Sequence, residues 1–252
     1  VSPISLDAIE AVQVNIAPFD VRQGNFVGAA VNTVTKSGTN DFSGSLYFNT
    51  RNENGVGTRV GGQKFNPGTF DFKQYGVRLG GPIVKNKLFF FVSYESDGLK
   101  EPGTTFLANT GGQAIGGTTT RVRASSLDSL SAFLAAAPFN YVTGPYQGYT
   151  HETPSDRLTA KLDFSLNQKN KFILRYTELN SNTDVLLSNS SSLGFGNRRT
   201  NLNGLNFQNS NYQILENISS LVGEWNALIG SNMSNNMIIG HTKNDESRDS
   251  RG

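Results

Sequence analysis

Arg157-Leu158-Thr159-Ala160-Lys161-Leu162-Asp163-Phe164-Ser165-Leu166 is the stretch on which the fold turns. Leu158, Ala160, Leu162, Phe164 and Leu166 share one parity; Thr159, Lys161, Asp163 and Ser165 share the other. Successive side chains of a strand point to opposite faces of its sheet, so this spacing predicts a strand with one apolar and one polar face. Asn167 to Lys171 then turns the chain, and Phe172, Leu174 and Tyr176 resume the apolar face against Arg175 and Thr177.

The same rhythm extends outward in both directions. From Asp41, Phe42, Gly44, Leu46 and Phe48 oppose Ser43, Ser45, Tyr47 and Asn49. Further strands are expected at about 71–83, with Phe72, Val77 and Leu79 as its apolar residues, and at 88–95, 217–229 and 236–243. The turns at 84–87, 167–171 and 230–235 are short and polar, whereas 52–70, 97–155 and 182–213 are long and rich in Gly, Ser, Thr and Asn. Short and long connections alternate. Strict sorting of loop length is the layout of an up-and-down outer-membrane barrel, with short periplasmic turns and long outer loops. Soluble domains favour short connections on both sides.

Composition agrees. Of 252 residues only 36% are hydrophobic, yet 10% are aromatic, with 17 Phe and 27 Gly. Disordered chains are poor in aromatics. Strands that meet lipid on one side and polar groups on the other have this mixture. The longest apolar run, Leu88 to Val92, falls far short of the ~20 residues of a membrane helix. A net charge of +2 with no basic block argues against nucleic acid as a partner. With no cysteine, disulfides, thiolate metal sites and a Cys nucleophile are excluded.

Signals of chemistry are weak. His151 and His241 are the two histidines, and a Ser-His-Asp site would need one of them. Asn52 to Gly55 and Asp245-Glu246 lack the spacing of a Ca²⁺ loop. Gly111-Gly112 and Gly116-Gly117 lack a strand–glycine–helix context and read as flexible loop. Ser125 to Asp128 resembles a helix start; Leu127, Leu130, Phe133, Leu134 and Ala137 would form the apolar face, and Pro138 the end. Phe42, Tyr47, Phe89, Phe91, Tyr94 and Trp225 are among the aromatics expected to form interfacial girdles. No enzyme, cofactor or metal is expected.

The first 40 residues differ in texture. Leu6 to Glu10 looks like a helix start, followed by a strand-like Val12-Gln13-Val14. Gly28-Ala29-Ala30-Val31-Asn32-Thr33-Val34-Thr35-Lys36 is small and β-branched. With Pro18 to Arg22 and Lys36-Ser37-Gly38-Thr39-Asn40, this stretch resembles the plug-to-barrel junction of TonB-dependent outer-membrane transporters, in their Oar-like subgroup. Leu79-Gly80-Gly81-Pro82-Ile83 followed by Lys87 to Phe91 is similar to that subgroup's second hairpin.

The resemblance implies an all-β fold: about seven strands of a larger antiparallel up-and-down transmembrane β-barrel, preceded by the end of a plug domain. Residues 1–38 would be the C-terminal part of the plug, and 39–252 the N-terminal part of the barrel. Members have about 22 strands around a plugged lumen, so the sequence is expected to be a piece of a longer chain. Gly28, Val31, Asn32, Thr35 and Lys36 would be the junction residues. The implied activity is energy-coupled uptake of a large nutrient across the bacterial outer membrane. The implied partners are outer-membrane lipid, a TonB-type complex contacted through a segment not in this sequence, and a surface lipoprotein or other outer-membrane protein. The ligand-binding residues stay unassigned. Two other readings are a structural or adhesive barrel binding through its loops, and a soluble all-β binding domain.

Overall fold

The computed structural model describes residues 2–16, 29–61, 63–64, 68–190 and 198–251. Strands β1 (Ile9–Ile16) and β2 (Ala29–Thr35) pair as an antiparallel hairpin of their own. Then come β3 (Ser43–Asn52), the short pair β4 (Arg59–Val60) and β5 (Gln63–Lys64), β6 (Asp71–Val84) and β7 (Leu88–Pro102). A long connection holds β8 (Leu107–Asn109), β9 (Thr119–Arg123) and helix α1 (Ala124–Ala135). The chain continues through β10 (Thr150–Asn167), β11 (Asn170–Val185), β12 (Tyr212–Ile229) and β13 (Met233–Ser250). Seven strands make one sheet in the order β13-β12-β11-β10-β7-β6-β3. All neighbours are antiparallel, and each is the next long strand in the chain, which is an up-and-down meander.

The burial of this sheet is inverted relative to a soluble protein. On β10, Ser155, Arg157, Thr159, Lys161 and Asp163 are buried, while Leu162, Phe164 and Leu166 are exposed. On β3, Leu46 and Phe48 are exposed; so are Tyr75, Val77 and Leu79 on β6. Pairing keeps the faces in register: Leu162 is opposite Phe90 and Leu174, and Phe172 is opposite Trp225. Water would penalise such a surface at roughly 25 cal/mol per Å²; lipid does not. The stripe from Leu158 to Leu166 spans about nine residues, the number a tilted strand needs to cross a bilayer. No helix among the described residues is long and apolar enough to do so.

Rings cluster along the apolar face. Toward the short turns, Phe42 meets Phe90 at 6.3 Å, and Phe172 lies between Phe164 (6.3 Å) and Trp225 (6.0 Å). Toward the long loops, Tyr94 donates to Asp156 at 2.8 Å and Tyr176 to Glu178 at 3.0 Å. Rings with an apolar body and a hydrogen-bonded tip suit a membrane interface.

Several expectations need correction. The strands are longer than their apolar patterns: β7 runs on to Pro102, β10 starts at Thr150, β11 ends at Val185, β12 starts at Tyr212 and β13 ends at Ser250. Backbone pairing continues where both faces are polar, and hydrophobic alternation no longer marks it. Phe72 has the parity of Gly76 and Arg78, opposite to Val77 and Leu79. Phe91 and Tyr47 are on the polar face rather than in a girdle; Phe91 is 2% exposed. The apolar run of β7 carries no alternation from which its parity could be read. Leu6–Ala8 is one turn of 3₁₀-helix, after which the chain is extended. α1 starts at Ala124, with Arg123 at its N-cap and no side-chain cap, and ends at Ala135.

The long connections are also more ordered than their composition suggests. Ala108 and Leu127 from one and Leu205 from the other form a shared small core, with Phe106, Val122 and Phe207 packed against it. Backbone bonds stitch the two together: Arg121 N–H to Leu202 C=O at 2.8 Å, Gln208 N–H to Pro145 C=O at 2.7 Å, and Asn209 N–H to Thr143 C=O at 3.0 Å.

Leu162→Lys in the full-length protein should lower folding stability in lipid vesicles by about 2–4 kcal/mol, whereas Leu162→Ile should change it little. Urea titration of the vesicle-inserted protein reads this. A soluble sheet would tolerate an exposed Lys, so a neutral result contradicts the lipid-facing assignment.

Candidate functional site

Period-2 geometry places Ser45 and Tyr47 of β3, Arg78 of β6, Glu95 and Asp97 of β7, and Arg157 and Lys161 of β10 on the polar face. The N-terminal segment and hairpin β1–β2 lie against this face through three polar anchors.

The first anchor is Asp7. Its turn is capped by Ser5, whose hydroxyl accepts from the Asp7 N–H at 3.3 Å. The Asp7 carboxylate meets Arg78 Nε at 2.9 Å and Lys36 Nζ at 3.3 Å, and accepts from the Ser45 hydroxyl. Lys36 Nζ also donates to the Asp7 carbonyl at 2.7 Å, closing the N-terminal turn onto the end of β2. Arg78 Nε donates to Ser45 Oγ at 2.8 Å.

The second anchor is Arg157 with Glu95. Arg157 Nη1 donates to Glu95 Oε1 at 2.7 Å and to the Asp97 carboxylate, and its Nε donates to the Ser2 carbonyl at 2.7 Å. Glu95 Oε2 accepts from Ser5 Oγ at 3.0 Å and from the Tyr47 hydroxyl. The Tyr47 ring fits because its cross-strand partner is Gly76, where a Cβ would overlap the ring. The third anchor is Lys161, whose Nζ donates to Ser37 Oγ at 2.8 Å and to the Thr35 carbonyl at 3.2 Å. Between β2 and β3 the chain passes so close to the sheet that a Cβ on Gly38 would strike the Phe90 carbonyl and come within 2.7 Å of the Gly81 oxygen.

These groups are desolvated: Arg157 and Glu95 side chains are 9% and 5% exposed. Desolvation of such ions offsets most of their attraction, so they contribute register and orientation more than net stability. Removing one partner is costly, because the other charge stays buried and unpaired.

The expected junction residues divide. Thr35 is 2% exposed and Lys36 sits in the Asp7 cluster, both at the seam. Val31 and Asn32 are exposed on β2, so the structure does not bring them to the wall. Gly28 and 18–22 lie outside the described residues. Asp7, Arg78, Glu95 and Arg157 were not singled out by sequence reading. Arg78, Glu95 and Arg157 carry a signal, a charged residue at a polar-face position of a strand; Asp7, in the 3₁₀ turn ahead of β1, carries none.

The two histidines are on different strands, with β11 and β12 between them. His241 is exposed on β13. His151 is inside β10 rather than before it, 8% exposed, with its ring 5.6 Å from Tyr149. Burial pushes the His151 pKa below its ordinary value. Asn52 to Gly55 is a 3₁₀ turn in which Asn52 caps the Asn54 N–H at 3.1 Å, and Asp245-Glu246 is part of β13. Beyond the apolar band, Asp184 accepts from Gln213 Nε2 at 2.8 Å, from the Glu152 N–H at 2.9 Å and from Arg251. Burial works to raise its pKa, but these bonds and the Arg251 charge outweigh it and hold the carboxyl below the ordinary range.

A family model described as an outer membrane beta barrel domain matches residues 34–252. The TonB-dependent transporter Oar of Myxococcus xanthus is 34% identical over 102 residues. That alignment takes in 37% of this chain and 9% of the transporter. No solved structure matches.

Arg157→Ala should destabilise the protein by about 3–5 kcal/mol, and Arg157→Met combined with Glu95→Gln and Asp97→Asn should recover much of the loss. Denaturant titration of the three proteins checks both. Asp184→Asn should lower stability at neutral pH. Because the folded carboxyl titrates below the ~3.9 of an unfolded Asp, its contribution is present above pH ~4 and fades as pH falls through the folded value. Thermal unfolding of wild type and variant should therefore converge in acid.

Proposed function

Because the chain belongs to the outer-membrane β-barrel family and is a protein of the bacterial outer membrane, we propose that it forms the plug end and first wall strands of a TonB-dependent transporter of the Oar-like subgroup. Residues 1–38 are then the close of the plug, and 39–252 the opening part of the barrel. The protein takes up a large nutrient with energy supplied from the inner membrane, and does no chemistry on it. The observation that carries this reading is the nature of the seam. The N-terminal segment and the end of the hairpin are held to the wall by the Asp7–Arg78 ion pair and by hydrogen bonds from Arg157 to the Ser2 carbonyl, from Ser5 to Glu95, and from Lys161 to Ser37 and the Thr35 carbonyl. Polar contacts can be exchanged for water when a plug is pulled, at far lower cost than an apolar core. Similarity to the Myxococcus transporter supports the same reading, and the exposed Val12, Val14 and Ile16 suit a hairpin that packs on further plug structure.

The coupling partner is a TonB-type complex, reached through a segment upstream of this sequence. The jointly packed loops offer a surface for the nutrient, for a surface lipoprotein or for another outer-membrane protein. That ordered loop surface also favours the second reading, a structural or adhesive barrel that binds through its loops without transport.

This chain lacks cysteine, so one introduced thiol reports cleanly. In a full-length protein freed of any other cysteine, Val14→Cys should react faster with an impermeant maleimide when cells are energised than after a protonophore. Equal labelling rates in both states would overturn transport and leave the structural reading.

A further inference from the structure

The apolar face carries a notch that the lipid-facing role alone does not require. Across it run two aligned rows, Leu174–Gly223–Ile239 and Phe172–Trp225–Met237. The residue in the middle of the first row is glycine, and a Cβ there would meet nothing closer than 3.9 Å. Large side chains on both sides and the near-parallel Phe172 and Trp225 rings, 4° apart, leave a trough of about 610 Å³. Its lining is almost wholly apolar.

At its short-turn end the trough adjoins a second cavity of different chemistry. Trp225 donates from Nε1 to Asn170 Oδ1 at 3.1 Å, so a trough residue is bonded to a residue of the next cavity. That crevice, about 800 Å³, lies among the turns of three hairpins. Lys85, Lys87, Lys169 and Lys171 line it together with Asn and Gln amides, and no Asp or Glu does. Lys171 is paired with Asp163 at 3.3 Å. Lys85, Lys87 and Lys169 are exposed and make no ion pair among the described residues. Neighbouring residues on these strands alternate in face, so the two cavities join through the Trp225–Asn170 bond, Asn170 having the outward parity of Phe172.

We propose that trough and crevice together hold one anionic phospholipid of the periplasmic leaflet, an acyl chain in the Gly223 notch and the headgroup phosphate among Lys85, Lys87 and Lys169. Short turns lie at the periplasmic rim of bacterial barrels, which sets the leaflet. Charge complementarity sets the lipid class. Three unpaired lysines attract a net anion and repel the ammonium of a zwitterionic headgroup. The inference rests on barrel membership and not on the transport reading.

The test is native mass spectrometry of the full-length protein in mild detergent, titrated with phosphatidylglycerol or phosphatidylethanolamine of the same acyl chains. Heat-modifiable gel mobility confirms that each variant is folded. Phosphatidylglycerol should form a one-lipid adduct at about tenfold lower concentration than phosphatidylethanolamine. Lys85→Gln, Lys87→Gln and Lys169→Gln together should abolish that preference. Gly223→Leu, which fills the notch and leaves the lysines in place, should weaken the adduct itself. Equal retention of both lipids, or unchanged retention in both variants, overturns the proposal. So does displacement of the lipid by soluble glycerol phosphate at equal concentration, which would make the trough irrelevant. A dimer mass in place of the adduct would assign the notch to a second copy and likewise overturn it.

Discussion

A sheet whose apolar side faces outward must satisfy its polar side from within. That constraint governs the rest of this structure. Arg157, Lys161, Glu95 and Asp163 are too desolvated to be left alone, and none can be hydrated as a surface residue would be. Each needs a counter-charge or a hydrogen-bond partner. The N-terminal segment supplies two of these as main-chain carbonyls: Ser2 for Arg157 and Thr35 for Lys161. The segment is therefore part of the electrostatic completion of the wall, and the wall fixes where the segment lies.

The character of that completion matters for function. Ion pairs that have lost their water gain little net free energy, yet they tolerate only one arrangement. The seam itself is made by the half-buried Asp7–Arg78 pair and by hydrogen bonds to Arg157, Glu95 and Lys161 of that wall, so it is registered without being strongly adhesive. Close approach at Gly38 and the pocket that Gly76 leaves for Tyr47 add shape to the same seam, since neither position admits a Cβ without displacing a neighbour. On the proposed transport reading, a mobile element seated in a barrel needs that combination of definite rest position and modest binding energy.

Along β10 one strand passes through three physical environments. At the turn end its polar residues join the lysine-rich rim. From Leu166 to Leu158 its outward residues suit lipid. Beyond Asp156 it continues as a paired strand with polar residues on both faces, toward loops that bury Leu127 and Leu205 together. Hydrogen bonds between neighbouring strands run through all three regions, so the sheet is stiffest as a unit while its surface chemistry changes with height. Binding of ligands or partners above, and of lipid below, can be built on that one scaffold.

The sequence by itself determined the seven strands, their parities wherever apolar and polar residues alternate, the sorting of loops and the class of protein. Those features are local or periodic, and a period of two needs no tertiary knowledge to read. Strand ends escaped it because pairing outlasts hydrophobic alternation at 97–102, 150–156 and 243–250. Phe91 escaped it because an unbroken apolar run has no parity signal. The loops escaped it because their core joins residues nearly 100 positions apart, such as Ala108 and Leu205. Only the tertiary structure decided that Asp7, Arg78, Glu95 and Arg157 form one seam, and that Gly223 opens a trough beside a lysine rim. Both depend on which strands become neighbours and in what register. A sequence lists charges and gaps, and cross-strand pairing brings them to the same place.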